Sequence, residues 1–181
     1  MPAPELTDGG VLLRPLRESD RDERQRYGWH AEIERGYGRA VESGPMTDEQ
    51  ARTWYERLSQ MDEPSWAIEV DGRFAGFTFL HSHEQEDRRA RFAIGLASPQ
   101  LQGRGIGRAA TMLVLRHAFS TMALHRVDLR VLGFNLGAIA CYRACGFVEE
   151  GRERESCLLD GHWYDDILMG VLEHEFRALD S

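Results

Sequence analysis

The segment SPQLQGRGIGRAATMLVLRHAF (Ser98–Phe119) sets Gly103, Gly105 and Gly107 at alternate positions just before an apolar helical pattern. Glycines so spaced leave the backbone N–H groups over 103–108 free of side-chain bulk, and the positive end of the following helix reinforces them. An anion is the natural guest, with Arg104 and Arg108 at the rim. A phosphate-binding P-loop needs Gly-Lys-Ser/Thr here, but Gly107 is followed by Arg108-Ala109. A dinucleotide fingerprint, G-x-G-x-x-A, fits Gly105–Ala110. It also wants an acid at the end of the next strand, and Asp128 falls mid-strand in a chain with too few βαβ units for a dinucleotide crevice. A cradle for a pyrophosphate uses every residue of the corner. The plainer alternative is a helix start that uses glycines only to turn.

The rest of the chain bounds the answer. Its 181 residues suffice for one domain, 1–181, that buries a core without disulfides. No apolar run approaches the roughly 20 residues of a membrane span. The opening MPAPELTDGG lacks the basic and apolar regions of a signal peptide, so a cytoplasmic location is expected. A net charge of −8 disfavours a nucleic-acid backbone as partner and suits a cationic small molecule, although solubility alone explains many acidic surfaces. Cys141, Cys145 and Cys157 are too few and too close together for a disulfide framework and read as free thiols.

The pattern is that of a mixed α/β domain. VLLRPLRESD reads as a short strand ending at Ser19-Asp20, a candidate N-cap for a first helix. Residues 21–45 carry four glycines, so helix is interrupted there. Thr47 and Gln50 form a capping box for a helix with Ala51, Trp54, Tyr55 and Leu58 on one stripe. SWAIEV and RFAGFTFLHS, joined by Asp71-Gly72, read as a hairpin. ARFAIGLA is the strand entering the glycine corner, a helix spans roughly 105–122, and RVDLRVL alternates as a strand. LGAIACYRAC is a short helix closed by Gly146, with Phe147 placed for the apolar contact beyond it. Two final strands, near 147–158 and 162–172, meet at Asp160-Gly161.

Four stretches in order carry a resemblance to the GNAT superfamily of N-acetyltransferases. QGRGIG (Gln102–Gly107) resembles its Q/R-x-x-G-x-G/A acyl-CoA pyrophosphate motif, and LLRPLRESD its opening strand. VLGFNLGAIACYRACGFVEEG resembles the segment N-x-x-A-x-x-x-Y-x-x-x-G-F. LLDGHWYDDILMGVLEHEF is similar to the closing hairpin of the branch holding ribosomal-protein N-terminal and spermidine acetyltransferases. The resemblance implies a single domain with a mixed, mostly antiparallel sheet splayed at its central strands and helices on both faces.

It also implies acetyl-CoA as cofactor and direct transfer to a primary amine in a ternary complex. Gln102, Gly103, Arg104, Gly105, Ile106, Gly107 and Arg108 would hold the pyrophosphate. Gly95, Leu96 and Ala97 would offer backbone groups to pantetheine, with an amide near Gly95-Leu96 on the thioester oxygen. Asn135 would hold the cofactor arm, a role compatible with capping the helix after it. Tyr142 would protonate the leaving thiolate, which suits a phenol of pKa about 10. Core packing is its plainer role, since Leu136, Ile139 and Tyr142 share one helical face. Cys141 and Cys145 belong to a helix that should pack, so a cysteine nucleophile is not expected. A catalytically silent acyl-CoA-binding or sensing domain, or transfer of a different acyl group, is the alternative.

The base and the acceptor are less determined. Some relatives place a glutamate on the central strand, but RRARFAIGLA has no carboxylate. His81 and His83 are the base candidates, with a pKa of about 6.5 suited to neutrality, and Glu69, Glu84, Asp87 or a water stay open. The histidine pair lacks a convincing third ligand, so no metal is expected. Residues 21–45 should wall the acceptor cleft, where Glu32, Glu34 and Glu42 with Tyr27, Trp29 and Tyr37 would suit a cationic, partly apolar amine. The expected partner is a small-molecule amine or a peptide N-terminus, with no nucleic acid and no membrane. A homodimer is an allowed assembly.

Overall fold

The computed structural model describes residues 3–180. Strands β1 (Leu6–Asp8) and β2 (Val11–Arg14) lead into helices α1 (Ser19–Tyr27), α2 (Ala31–Arg35) and α3 (Asp48–Ser59). Strands β3 (Ser65–Val70), β4 (Arg73–Glu84) and β5 (Arg89–Leu96) follow, then α4 (Ile106–Ser120), β6 (Arg126–Leu132) and α5 (Leu136–Ala144). The chain closes with β7 (Val148–Leu159), β8 (His162–Leu172) and α6 (Glu173–Leu179). The expected elements are all present; β1, α6 and a single 3-10 turn at Pro99–Leu101 are additions to that set.

Local chemistry explains most boundaries. The Asp71-Gly72 and Asp160-Gly161 turns both have positive φ at each residue, as two-residue hairpins with the right-handed strand twist require. Thr47 and Gln50 make the reciprocal capping box of α3. The start of α1 is different from the expected cap. Glu18 occupies the N-cap position without a side-chain cap bond, while Asp20 is buried and accepts from the Arg17 N–H at 2.7 Å. Asp20 also takes both terminal nitrogens of buried Arg14, at 2.8 and 2.7 Å, and Glu69 takes the Arg14 Nε. An acid already committed to a buried guanidinium is not free to cap. Glu69, a base candidate, is spent in the same network.

The sheet order is β1-β2-β3-β4-β5-β6-β8-β7, and β5–β6 is the parallel pair in an otherwise antiparallel sheet. On one face α4, with α5 and α6, covers a core that includes Leu13, Ile68, Leu115, Val127 and Met169. On the other, α1 and α3 cover Ala67, Phe74 and Ala97, with Trp54 edge-on to Phe74 at 5.7 Å.

The parallel pair decides where ligands can enter. β5 and β6 pair only over Arg89–Arg91 and Arg126–Asp128, whereas β5 stays paired with β4 up to Leu96. Beyond Arg91 the two central strands therefore splay, as the resemblance implied.

Candidate functional site

Alternation along β5 fixes which backbone groups face the splay. The Ala97 N–H bonds the Ala75 carbonyl at 2.9 Å, so the register partners Phe77 and Gly95, two residues on, also exchange bonds across β4–β5. The intervening residues Ile94 and Leu96 then direct their N–H and C=O away from β4, into the gap where β6 has departed. Of the amides near Gly95-Leu96, the Leu96 N–H is the one that faces the gap.

A cavity of about 960 Å³ fills this opening. Its floor is the glycine corner. Gly105 is the N-cap of α4 at φ 78°, with no side chain capping the helix, so the first amides of α4 have no internal partner. A Cβ built at Gly103 or Gly105 would meet no protein atom within 4 Å, so these two positions open onto space. Leu96, Gln102, Gly103, Gly105, Ile106, Gly107, Arg108, Asn135 and Tyr142 line the cavity, as a cofactor site would require. Three expected residues lie outside its lining. Gly95 is engaged with Phe77 and covered by Tyr37, Ala97 is buried with its N–H on Ala75, and Arg104 is exposed on the corner.

Tyr142 owes its position to the way α5 ends. Gly146, at φ 95°, donates to the Arg143 carbonyl, and the Phe147 N–H reaches back to the Tyr142 carbonyl at 3.1 Å. That is the Schellman closure, and it buries Phe147 beneath the tyrosine. The Tyr142 ring stands edge-on to Phe92 and Phe147, with centroids at 6.3 and 5.8 Å. Its hydroxyl has no hydrogen-bond partner among the described residues. Burial, then the neighbouring Tyr37 phenol, pushes its pKa well above that of free tyrosine, so it keeps its proton throughout the neutral range. Asn135 caps α5, its Oδ1 accepting from the Ala138 N–H at 3.2 Å. Its amide nitrogen lies against Gly36, where a Cβ would come within 3.1 Å.

The acceptor wall divides the two expected glutamates. Glu32 lines the cavity. Glu34 is buried to 3 % exposure between Arg24 and Arg39, at 3.8 and 3.2 Å, and faces protein. Glu42 is not part of the cavity lining. Neither His81 nor His83 reaches the cavity. His81 is in register with Arg91, four residues or roughly 13 Å of strand from Gly95. Ser82 between them has φ 52° in a bulge, which breaks the alternation that a shared face assumes. Burial holds the His81 pKa below its usual value, and Ser82 Oγ lies 3.0 Å from its Nδ1. Glu84 and Asp87 are ion-paired with Arg89 at the same far end.

Asp166 is a site residue that sequence reasoning misses. It lies in β8 opposite Leu132, lines the cavity, and its carboxylate has no hydrogen bond or ion pair among the described residues. Its neighbour Asp165 takes Arg152 and the Glu155 N–H instead. The signal that could have found it is alternation: Ile167, Met169 and Val171 are buried in the core, which turns Asp166 to the opposite face. The three cysteines are free thiols, and Cys141 and Cys157 line the cavity.

A splayed parallel pair, an uncapped glycine corner and a phenol with no partner among the described residues are the features that the resemblance to acyl-CoA-dependent transferases implied. Residues 11–148 match the family model described as the acetyltransferase (GNAT) domain, and the chain belongs to that family. It is an N-acetyltransferase that uses acetyl-CoA. It is 29% identical to the spermidine N(1)-acetyltransferase of Escherichia coli (strain K12) over 173 residues, 93% of this chain and 89% of that protein. The Vibrio cholerae spermidine N-acetyltransferase, solved in complex with CoA and spermine, shares the fold with a TM-score of 0.78 at 24% identity, over 94% of this chain and 99% of that one. A GNAT-family acetyltransferase of Bacillus anthracis shares it with a TM-score of 0.81 at 16% identity, over 94% and 99% of the two chains. Among the described residues no helix is long and apolar enough to cross a membrane.

Proposed function

We propose that the chain, as one domain, acetylates a small, positively charged primary amine by direct transfer. The observation that carries this reading is one cavity that joins the glycine corner, the freed edge of β5, Tyr142 and the carboxylates of Glu32 and Asp166, which have no partner among the described residues. Two carboxylates that line a ligand cavity with no ion pair among the described residues favour a cation. The names of the spermidine acetyltransferase relatives agree with a small polyamine as acceptor.

When bound, acetyl-CoA supplies an acetyl group already activated as a thioester. In this reading the amides of 105–108 and the Arg108 side chain hold its pyrophosphate, and Asn135 borders its arm. The Leu96 N–H donates to the carbonyl oxygen, where charge gathers as the amine attacks. Glu32 and Asp166 draw in the ammonium form, which must lose one proton to water before its lone pair can attack. As the new C–N bond forms and the C–S bond breaks, Tyr142 gives its proton to the sulfur. The second amine proton returns through water to the tyrosine oxygen. No cysteine is acylated.

The test is an amine panel scored by thiol release and product mass. A cationic diamine or polyamine should lead the panel, and Glu32→Gln with Asp166→Asn should raise its KM with little change in the KM of acetyl-CoA. A preferred acceptor that is neutral or anionic would overturn the reading.

A further inference from the structure

The strap Gly36-Tyr37-Gly38 leaves the end of α2 and crosses the splay between β5 and β6. It is held there from three sides. Gly36 lies against the Asn135 amide. A Cβ at Gly38 would come within 2.7 Å of Cys157 Sγ on β7. Between them, the Tyr37 hydroxyl donates to the Ile94 carbonyl at 3.0 Å. That carbonyl is one of the groups released into the gap when β6 diverges. Gly95 has no side chain at the point of approach, and a Cβ there would overlap the Tyr37 oxygen.

Tyr37 is not held as a core ring. It exposes 40 % of its surface, with Arg39 over its face at 5.3 Å, and it lines the cavity. A phenol has one hydrogen to give and lone pairs to accept with. The Tyr37 hydrogen is committed to Ile94, so toward a ligand this oxygen can only accept. The Tyr142 hydroxyl, close by, has no protein partner among the described residues and can donate. The two phenols are therefore opposite in hydrogen-bonding sense. An attacking amine offers N–H donors, whereas a departing thiolate needs one.

We infer that Tyr37 is the residue that positions the acceptor nitrogen, accepting a hydrogen bond from one of its N–H groups beside the freed edge of β5. This rests on the proposal of transfer to an amine. A hydrogen bond taken from the nitrogen turns its lone pair toward the carbonyl carbon bound alongside, a contribution of orientation rather than of proton transfer. Tyr37 thus sets the acceptor's place from the strap, while Tyr142 serves the leaving group from α5.

The experiment is Tyr37→Phe, which keeps the ring and removes the accepting oxygen. Steady-state kinetics are measured with the best primary amine of the panel and with its N-methyl derivative, beside the KM of acetyl-CoA and a thermal melt. The expected result is a fall of about tenfold or more in acceptor kcat/KM for the primary amine. The KM of acetyl-CoA should stay within about twofold, and the preference for the primary over the N-methyl amine should shrink, since the lost contact reads the number of N–H donors. A folded variant with unchanged acceptor kcat/KM and unchanged preference would overturn the assignment. So would a variant in which both substrates weaken equally, because the hydroxyl would then only shape β5. Failure of the broader reading is separate, because it shows in the unaltered protein as thiol release that no amine stimulates, and it overturns this assignment as well.

Discussion

Two glycine-rich segments face each other across the cavity, and they use glycine for opposite reasons. In the corner before α4, a side chain at Gly103 or Gly105 would meet no protein atom. The space is kept for something outside the chain. In the strap and the strand beneath it, side chains at Gly38 and Gly95 would run into Cys157 and Tyr37. Here the space is filled by the protein itself. The first segment leaves room for the proposed cofactor, whereas the second lets the strap descend onto β5. An open glycine should therefore report on ligand affinity, and a covered one on the fit of the strap.

The largest effect should come from the residue between the two segments. Tyr142→Phe keeps the edge-on packing against Phe92 and Phe147 and removes the hydroxyl proposed to protonate the thiolate. Turnover should fall about 10²-fold or more with CoA affinity unchanged, measured by steady-state kinetics and calorimetry. The pH profile sharpens this. Because burial raises the Tyr142 pKa, its protonated form is the competent one below that raised value. Activity should rise with pH as the amine deprotonates, without an alkaline decline near the pKa of about 10 of a free phenol. A decline centred there would place the acid elsewhere.

Next in size is Gly95→Ala. The added methyl would overlap the Tyr37 oxygen and come within 2.8 Å of the Phe77 ring. Overpacking of this kind costs about 1–3 kcal/mol, read as a lowered denaturation midpoint. Acceptor kcat/KM should fall with it. Combined with Tyr37→Phe the losses should be less than additive, because the two changes share one contact. Simple additivity would break the link between strap and strand.

A smaller and cleaner contrast comes from Gly105. Its φ of 78° is left-handed, so Gly105→Val should cost about 1–2 kcal/mol of stability. Gly105→Asn tolerates that conformation and should leave the fold nearly untouched. Both should weaken CoA binding, measured by calorimetry, since each places atoms where only a ligand would be. Unchanged affinity in the Asn variant would mean that the corner turns the chain and nothing more.

The smallest effect is electrostatic. Raising ionic strength should increase the acceptor KM, because exposed charges are screened over about 8 Å at physiological salt. The slope should flatten in Glu32→Gln and Asp166→Asn. Equal slopes in all three proteins would make those acids an ordinary solvated surface.

Features set by neighbours in the chain are legible in the amino-acid sequence alone. The capping box at Thr47, the Asp-Gly turns and the closure at Gly146 depend on residues a few positions apart. Even the splay is legible, through the motif order that the family resemblance carries. The errors lie where a residue's partner is distant. Asp20 has the composition of a cap, but buried Arg14 claims it. Glu32 and Glu34 stand two residues apart on a five-residue helix, too short for periodicity to say which one faces Arg24 and which the cavity. Alternation would pair His81 with His83, and the bulge at Ser82 removes that premise.

By itself, then, the order of residues determined the elements, the open glycine corner before α4 and the phenol near the end of α5. Hydrogen bonds and turn conformations over three to six residues are local physics, written in the residues themselves. Which acids remain free, and that Tyr37 spends its proton on Ile94, was decided by the tertiary structure. A charge or a hydroxyl is bound by whatever group reaches it first in space, and those groups come from strands and helices far along the chain.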